Sequence, residues 1–318
     1  MDTIELAKKC EEFGYSRYWL AEHHDTVGYA SATPEIMISA VANATSTIRV
    51  GSGGVMLNHY SPFKVAETFT TLKALYGDRI DLGIGRASGA NFLATYALNS
   101  SRSNDYEQKA SYLAHFLNGT LPKKDYLYGV QLTPQNISAP PMYILGSSDG
   151  SSALASYLGV GFCLALFIGT HDRPTDIVKE YKRNFRPSIH LKKPKAMLAL
   201  ACICAPSTQE AKYIASSHTY WKLQAFRHSQ RESFKHPDEV QEIYPTLSKS
   251  DQLYYDETLN TMVVGTPKEC KEKLQQVAKN YEADEVVVVN VTHSFEDRLR
   301  SYELLAKEFL LTTHKGKT

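Results

Sequence analysis

The chain has almost no surplus charge: 35 basic against 34 acidic side chains, a net +1 over 318 residues. The basic residues do not gather into a block, so the electrostatic footprint of a nucleic-acid or anionic-membrane binder is missing. No apolar run reaches the roughly 20 residues of a spanning helix. The start, Met1-Asp2-Thr3-Ile4-Glu5, lacks a signal-peptide profile. Cysteine is scarce: five, an odd number with no CxxC pair, which suits a reducing cytoplasm rather than a disulfide scaffold. Cys202 and Cys204 sit two apart in an apolar run and read as packing on one strand face, not as metal ligands. Zinc-type HExxH, nucleophile-elbow GxSxG and phosphate-loop GxxxxGK[ST] patterns are all absent. What is present is 43% hydrophobic and 22% charged, enough for a sizeable core.

Apolar spacing predicts a helix over residues 2–13, stopped by Gly14, then a short strand over 17–21. Thr33-Pro34 reads as an N-cap with proline in the first turn of a helix to about Thr45. Further strands are expected at 48–51, 80–84, 141–145, 161–168, 195–204 and 285–290, nearly all followed by helices. A polar helix is expected over about 104–117, and a small-residue helix after Gly146 to Leu158. Residues 119–139 show no clear period and read as an excursion, with a hairpin as one form; 231–260 reads as the least regular part. A basic, frayed tail should follow about Leu311. Alternation of this kind implies a parallel sheet. Seven units behind a leading helix predict a single α/β domain over 1–318, a (β/α)8 TIM-type barrel lacking its first strand. Segments 119–140 and 228–260 would be excursions or lids, the latter an insertion before the last strand. A doubly wound open sheet is the other arrangement consistent with the pattern. On the barrel reading, the edges at 17–21 and 285–290 would be left unpaired, so a strand and loop are expected ahead of Asp2.

Tyr18-Trp19-Leu20-Ala21-Glu22-His23-His24-Asp25 turns from apolar strand to paired imidazoles flanked by carboxylates. Barrels place catalytic groups at such strand ends, though a solvated polar loop fits the same letters. Gly83-Ile84-Gly85-Arg86-Ala87-Ser88-Gly89 imitates a dinucleotide fingerprint, but Ser88 replaces its third glycine and no acid follows on a second strand. Arg86 can meet an anion or a flavin carbonyl there, or pair with a neighbouring carboxylate. Gly146-Ser147-Ser148-Asp149-Gly150-Ser151-Ser152 offers small residues and hydroxyls ahead of a helix, suited to a phosphate. It can equally be a plain helix cap. Gly51-Ser52-Gly53-Gly54 permits close approach to a flat ligand, or is a flexible turn.

Together these stretches resemble the bacterial luciferase-like flavin-dependent monooxygenases over nearly the whole chain. The resemblance rests on Trp19 to Asp25, Val50-Gly51-Ser52-Gly53-Gly54-Val55, Ser61-Pro62 through Glu67, Gly83 to Arg86, Gly146-Ser147-Ser148, and Val264-Gly265-Thr266-Pro267 followed by Ala283-Asp284-Glu285. It implies a (β/α)8 barrel, reduced FMN from a separate reductase, O₂, a small organic substrate and a homodimer. It implies His23 as the catalytic acid/base and Arg86 facing the flavin and its phosphate. Ser147, Ser148 and Ser151 would hold that phosphate, and the Gly53-Gly54 backbone, where relatives can have a non-proline cis peptide, would back the isoalloxazine. No metal is implied. The same scaffold also serves deazaflavin-dependent hydride transfer, and a truncated, non-catalytic flavin-binding scaffold is the third reading.

Overall fold

In the computed structural model, which describes residues 2–98, 105–168 and 173–312, the chain alternates strands and helices around one curled parallel sheet. Helix α1 (Asp2–Glu12) leads into β1 (Arg17–Leu20), and α2 (Pro34–Ala44) into β2 (Arg49–Ser52) and the two-residue β3 (Val55–Met56). Helix α3 (Pro62–Tyr76) precedes β4 (Ile80–Gly85), which is followed by α4 (Phe92–Leu98) and α5 (Tyr106–Asn118). Then come β5 (Met142–Gly146), α6 (Asp149–Leu158), β6 (Gly161–Ala165), α7 (Asp176–Asn184) and β7 (Ala196–Cys204). Helices α8 (Thr208–Arg227), α9 (Pro237–Ile243) and α10 (Lys249–Thr261) precede β8 (Val263–Gly265), α11 (Pro267–Asn280), β9 (Glu285–Val289) and α12 (Phe295–Phe309).

Local chemistry explains many of the helix starts. Ser61, Ser207, Ser248 and Ser294 each accept a backbone N–H of their own first turn, and Thr266 with Glu269 forms a reciprocal capping box. Thr33 precedes α2 as expected but makes no side-chain cap, so proline at N1 carries that start alone. The segment 231–260, expected to be irregular, contains α9 and α10. His236 caps the first through Nδ1 and Ser248 the second, signals hidden among aromatic and charged residues with little apolar period. Helix α4 has no counterpart among the expected elements; Phe92, Leu93 and Tyr96 are exposed and none of its residues is buried. Among 119–139 there is no strand, so the hairpin is not formed. The expected basic tail lies, from residue 313, outside the described residues.

Every ladder is parallel, in the order β1-β2-β4-β5-β6-β7-β8, with β3 beside β4 and β9 beside β7. The long β7 serves two neighbours in turn: Met197–Ala201 pair with β9, and Cys202–Cys204 with β8. Its alternate residues, from Ala196 to Cys204, face the helices, which places Cys202 and Cys204 together in the outer core. Leu82, Ile84, Ile144, Phe162, Leu164 and Leu198 join them there, as expected for a parallel sheet covered by helices. Met197, Ala199, Tyr143 and Cys163 face the concave side with Trp19, Leu145 and Val287. The closed eight-fold barrel is therefore not what is observed. The sheet is a half-barrel: among the described residues no ladder joins β1 to β9, and Arg17 to Glu285 spans the opening through side chains at 2.5 Å.

Candidate functional site

The concave side has two chemically different ends. At the strand starts, Asp81 is fully buried and takes Arg17, Arg49 and, at 3.1 Å, the Trp19 indole N–H. Glu285 joins from β9 with Arg17 and, at 3.0 Å, Lys195. Burial alone would raise the Glu285 pKa, yet Arg17 and Lys195 hold it below its usual range. All of these charges are compensated, as a structural plug requires.

At the strand ends, β1 delivers Glu22, His23 and His24. Glu22, 1% exposed, accepts from Tyr60 Oη at 2.9 Å and Met56 N at 3.0 Å, and meets His24 Nε2 at 2.8 Å. His24 is thus the anchored imidazole. His23 is held by its backbone, N–H to Ser31 O at 3.1 Å, while its ring stacks on Tyr29 at 4.7 Å. Burial, then the charges of Arg231 and His24, push its pKa down to about 4, so it is neutral near pH 7.

Beside it, Gly53 N donates to Leu20 O at 2.7 Å, and the Gly53–Gly54 peptide is cis. A Cβ on Gly54 would lie 2.7 Å from Gly83 O, and one on Gly83 2.2 Å from Ser52 O. Only glycine lets the ends of β2 and β4 approach this closely. Arg86 follows β4 directly and is exposed; Asn58 Nδ2 donates to its carbonyl at 3.2 Å. Near it, the Tyr106 hydroxyl is buried with no hydrogen-bond partner.

The β5–α6 turn holds Ser147, Ser148 and Ser151. Ser148 precedes α6 without capping it, and its Oγ lies 3.4 Å from Ser151 Oγ. Ser152 turns away, donating to Ile177 O at 2.9 Å. Asp149 in the first turn works against an anion here.

The register pairs Leu20 with Ser52, Met56 with Gly85 and Gly85 with Leu145, so the ends of β1, of β2 with β3, of β4 and of β5 follow one another round the rim. His23, Gly53-Gly54, Arg86 and the serine turn therefore occupy one arc of the rim in that order. No side-chain contact links Arg86 to the three serines among the described residues. Glu22 and Tyr60 were missed as the support of the histidine pair, although Glu22 stands directly before it. His218, Trp221 and Lys222 were also missed, because α8 reads as an ordinary helix until its contacts are known, and so were Tyr29 and Phe234 in the loops that pack on it.

Comparison with known proteins gives the family. The model of the luciferase-like monooxygenase family matches residues 1–283. A Bacillus subtilis (strain 168) protein, the uncharacterized protein YceB, is 37% identical over 317 residues, 97% of this chain and 93% of that protein. An Escherichia coli (strain K12) luciferase-like monooxygenase is 35% identical over 315 residues, 97% and 91% of the two chains. The crystal structure of apo-MsnO8 superposes with a TM-score of 0.85 at 34% identity, covering 98% and 92%. The FMN complex of the oxygenating constituent of 3,6-diketocamphane monooxygenase from Pseudomonas putida shares the fold alone, with a TM-score of 0.69 at 18% identity, covering 96% and 91%. With its strand ends, glycine-backed rim and near full-length matches, the chain belongs to the luciferase-like monooxygenase family.

Proposed function

We propose that this chain is an FMN-dependent monooxygenase that uses reduced flavin and O₂ to oxygenate a small organic substrate. The supporting observation is the conjunction, on one arc of the rim, of a desolvated neutral His23 with the side-chain-free meeting of the β2 and β4 ends at Gly53-Gly54 and Gly83. That meeting needs glycine, since a Cβ on Gly54 or Gly83 would collide with neighbouring backbone, and the flat ring of the flavin is proposed to lie against the half-buried Gly53 beside it. The unpartnered Tyr106 hydroxyl beside Arg86 and the Ser148 hydroxyl, which makes no cap to α6, fit a phosphorylated ligand. Reduced FMN, when bound, supplies the electrons for the reaction with O₂.

The residues divide the remaining work. Arg86, Ser147, Ser148 and Ser151 would hold the phosphate through charge-assisted hydrogen bonds. Tyr29, Trp221 and Phe234 exclude water from the side of His23. His23, neutral at rest, accepts a proton at its ring and returns it. Its low pKa rises again when negative charge develops beside it, which times the transfer to the reaction. Glu22 and Tyr60 fix His24 and with it the backbone that carries His23. A separate flavin reductase and a homodimeric state complete the proposal.

The test is FMN titration followed by oxygen uptake with reduced FMN. His23→Ala should lower turnover by about 10²–10⁴-fold at nearly constant FMN affinity. An unchanged oxygenation rate would move the role to another residue. Exclusive binding of a deazaflavin would replace the reaction by hydride transfer.

A further inference from the structure

The excursion over 119–141 joins α5 to the start of β5, so it lies at the strand-start end of the sheet, opposite His23, Arg86 and the serine turn. It contains neither helix nor strand. Loops of such length without secondary structure are uncommon and usually carry a function. Its last residues, Ile137 to Pro141, wall a cavity of about 500 Å³. The ends of α3 and α5 and the loop at Ile189-His190 complete the wall. That volume falls among those of small-molecule sites, which pair an apolar lining with a few polar groups.

Leu117, Ile137, Pro140, Pro141 and Ile189 make the apolar part of this lining. In the polar part, Asn118 Nδ2 donates to Ala114 O at 2.8 Å and lies 2.6 Å from His190 Nε2. An amide nitrogen only donates, so His190 Nε2 accepts and the ring proton sits on Nδ1. Burial pushes the His190 pKa down to about 4, and near pH 7 the imidazole adds no charge. Two cations also line the cavity. Arg49 is answered by the fully buried Asp81. Lys73 is treated differently. Its side chain is only 9% exposed, and its Nζ meets Ala139 O at 3.3 Å and Asp78 Oδ1 at 2.9 Å. The Asp78 side chain, however, is 93% exposed, so water screens that carboxylate and the pair gains little. A largely desolvated ammonium, set among apolar walls and paired with a carboxylate out in water, favours an anion that brings apolar surface with it.

We propose that the cavity beneath the excursion is a second ligand site, taking a small monocarboxylate with an apolar body. The carboxylate meets Lys73, and the apolar body packs on Leu117, Ile137 and Ile189. One cation without a buried counter-charge suits one negative charge. The site lies at the other end of the sheet from the proposed oxygenation and does not depend on it.

Calorimetric titration of the full chain with hexanoate, hexanamide and acetate tests the assignment. Hexanoate should bind about tenfold or more tightly than either of the others. Lys73→Met keeps the length and apolar stem of the side chain, and should bring hexanoate down to the affinity of hexanamide. Amide binding preserved in this variant is the sign of an intact fold, and Lys73→Arg should keep the preference. Because Lys73 is buried, a second variant guards against a failure to fold. Ile189 is 67% exposed and tolerates a polar side chain. Ile189→Asp sets a like charge against the ligand and should weaken hexanoate by about three- to tenfold while sparing hexanamide. Saturating FMN should leave hexanoate binding unchanged, because His23, Arg86 and the serine turn lie at the other end of the sheet. Displacement of hexanoate by FMN would put the acid at the strand ends and overturn the proposal. Hexanoate binding no tighter than hexanamide or acetate overturns it as well, as does a preference that survives both Lys73→Met and Ile189→Asp.

Discussion

The two ends of the concave surface are both lined with ionisable groups, yet they are organised in opposite ways. At the strand starts, Arg17, Arg49, Asp81, Glu285 and Lys195 answer one another with opposite charges. At the strand ends, His23 and His218 are stripped of water, face charges of like sign, and His218 Nδ1 has no partner. A compensated network holds elements together, whereas an uncompensated one stores a preference for a ligand. The contrast matches the division between a stabilising face and a reactive face in barrel-like folds.

Acid should separate the two ends most sharply. Burial is the main cause that pushes His23 to about 4 and His218 to about 3, with neighbouring cations adding to it. Since an unfolded histidine titrates near 6.5, the unfolded chain binds more protons below that value. Stability should therefore fall as pH drops from about 6.5, and this loss should level off near pH 3–4, at about 1.4 kcal/mol per unit of displacement. Glu285 behaves differently. Its contribution is complete above its ordinary 4.5 and is lost only as pH falls through its lowered folded value. Urea unfolding followed from pH 8 downward should show the strand-end loss first. His190, pushed down to about 4 by burial at the opposite end, titrates in the same window, so the assignment needs variants. His218→Phe should flatten the slope between pH 6.5 and 4, and an unaltered slope would break the comparison from the strand-end side.

The strand-start network is tested by Asp81→Ala. Removing the shared carboxylate leaves Arg17 and Arg49 facing one another, and breaking a buried pair from one side costs about 3–5 kcal/mol. Chemical unfolding at neutral pH should show this loss, with FMN affinity of the folded fraction unchanged. A stability within about 0.5 kcal/mol of the parent would mean that water or rearrangement answers the arginines.

The smallest effect belongs to the serine turn. Each hydrogen bond to a phosphate is worth about 1.5–3 kcal/mol, so Ser148→Ala should weaken FMN binding by about tenfold or more. Riboflavin, which has no phosphate, should be affected less. Equal losses for both ligands would remove this turn from the site and leave Arg86 without its expected partners.

Much of the alternation was legible because helix caps and strand runs are local. Ser61-Pro62, Ser207 and Thr266-Pro267 announce their helices within four residues, and β4 and β7 are apolar enough to stand out. Where apolar period and burial part company, the reading failed: α4 has apolar residues and no buried face, while α9 and α10 have caps and little period. The positions of His23, Arg86 and the serine turn followed from their places at strand ends, and register alone then sets them side by side.

The sequence by itself determined most of the strand–helix alternation, its parallel pairing and the family, because capping, glycine placement and hydrophobic runs are written in neighbouring residues. Only the tertiary structure decided which of two adjacent histidines is anchored: Glu22 reaches His24 only when Met56 and Tyr60 fold over it. It also decided that Trp221 on α8, some two hundred residues further on, packs on Tyr29, which stacks on His23. Burial and charge at a point in space are sums over distant segments, and no single stretch of chain records them.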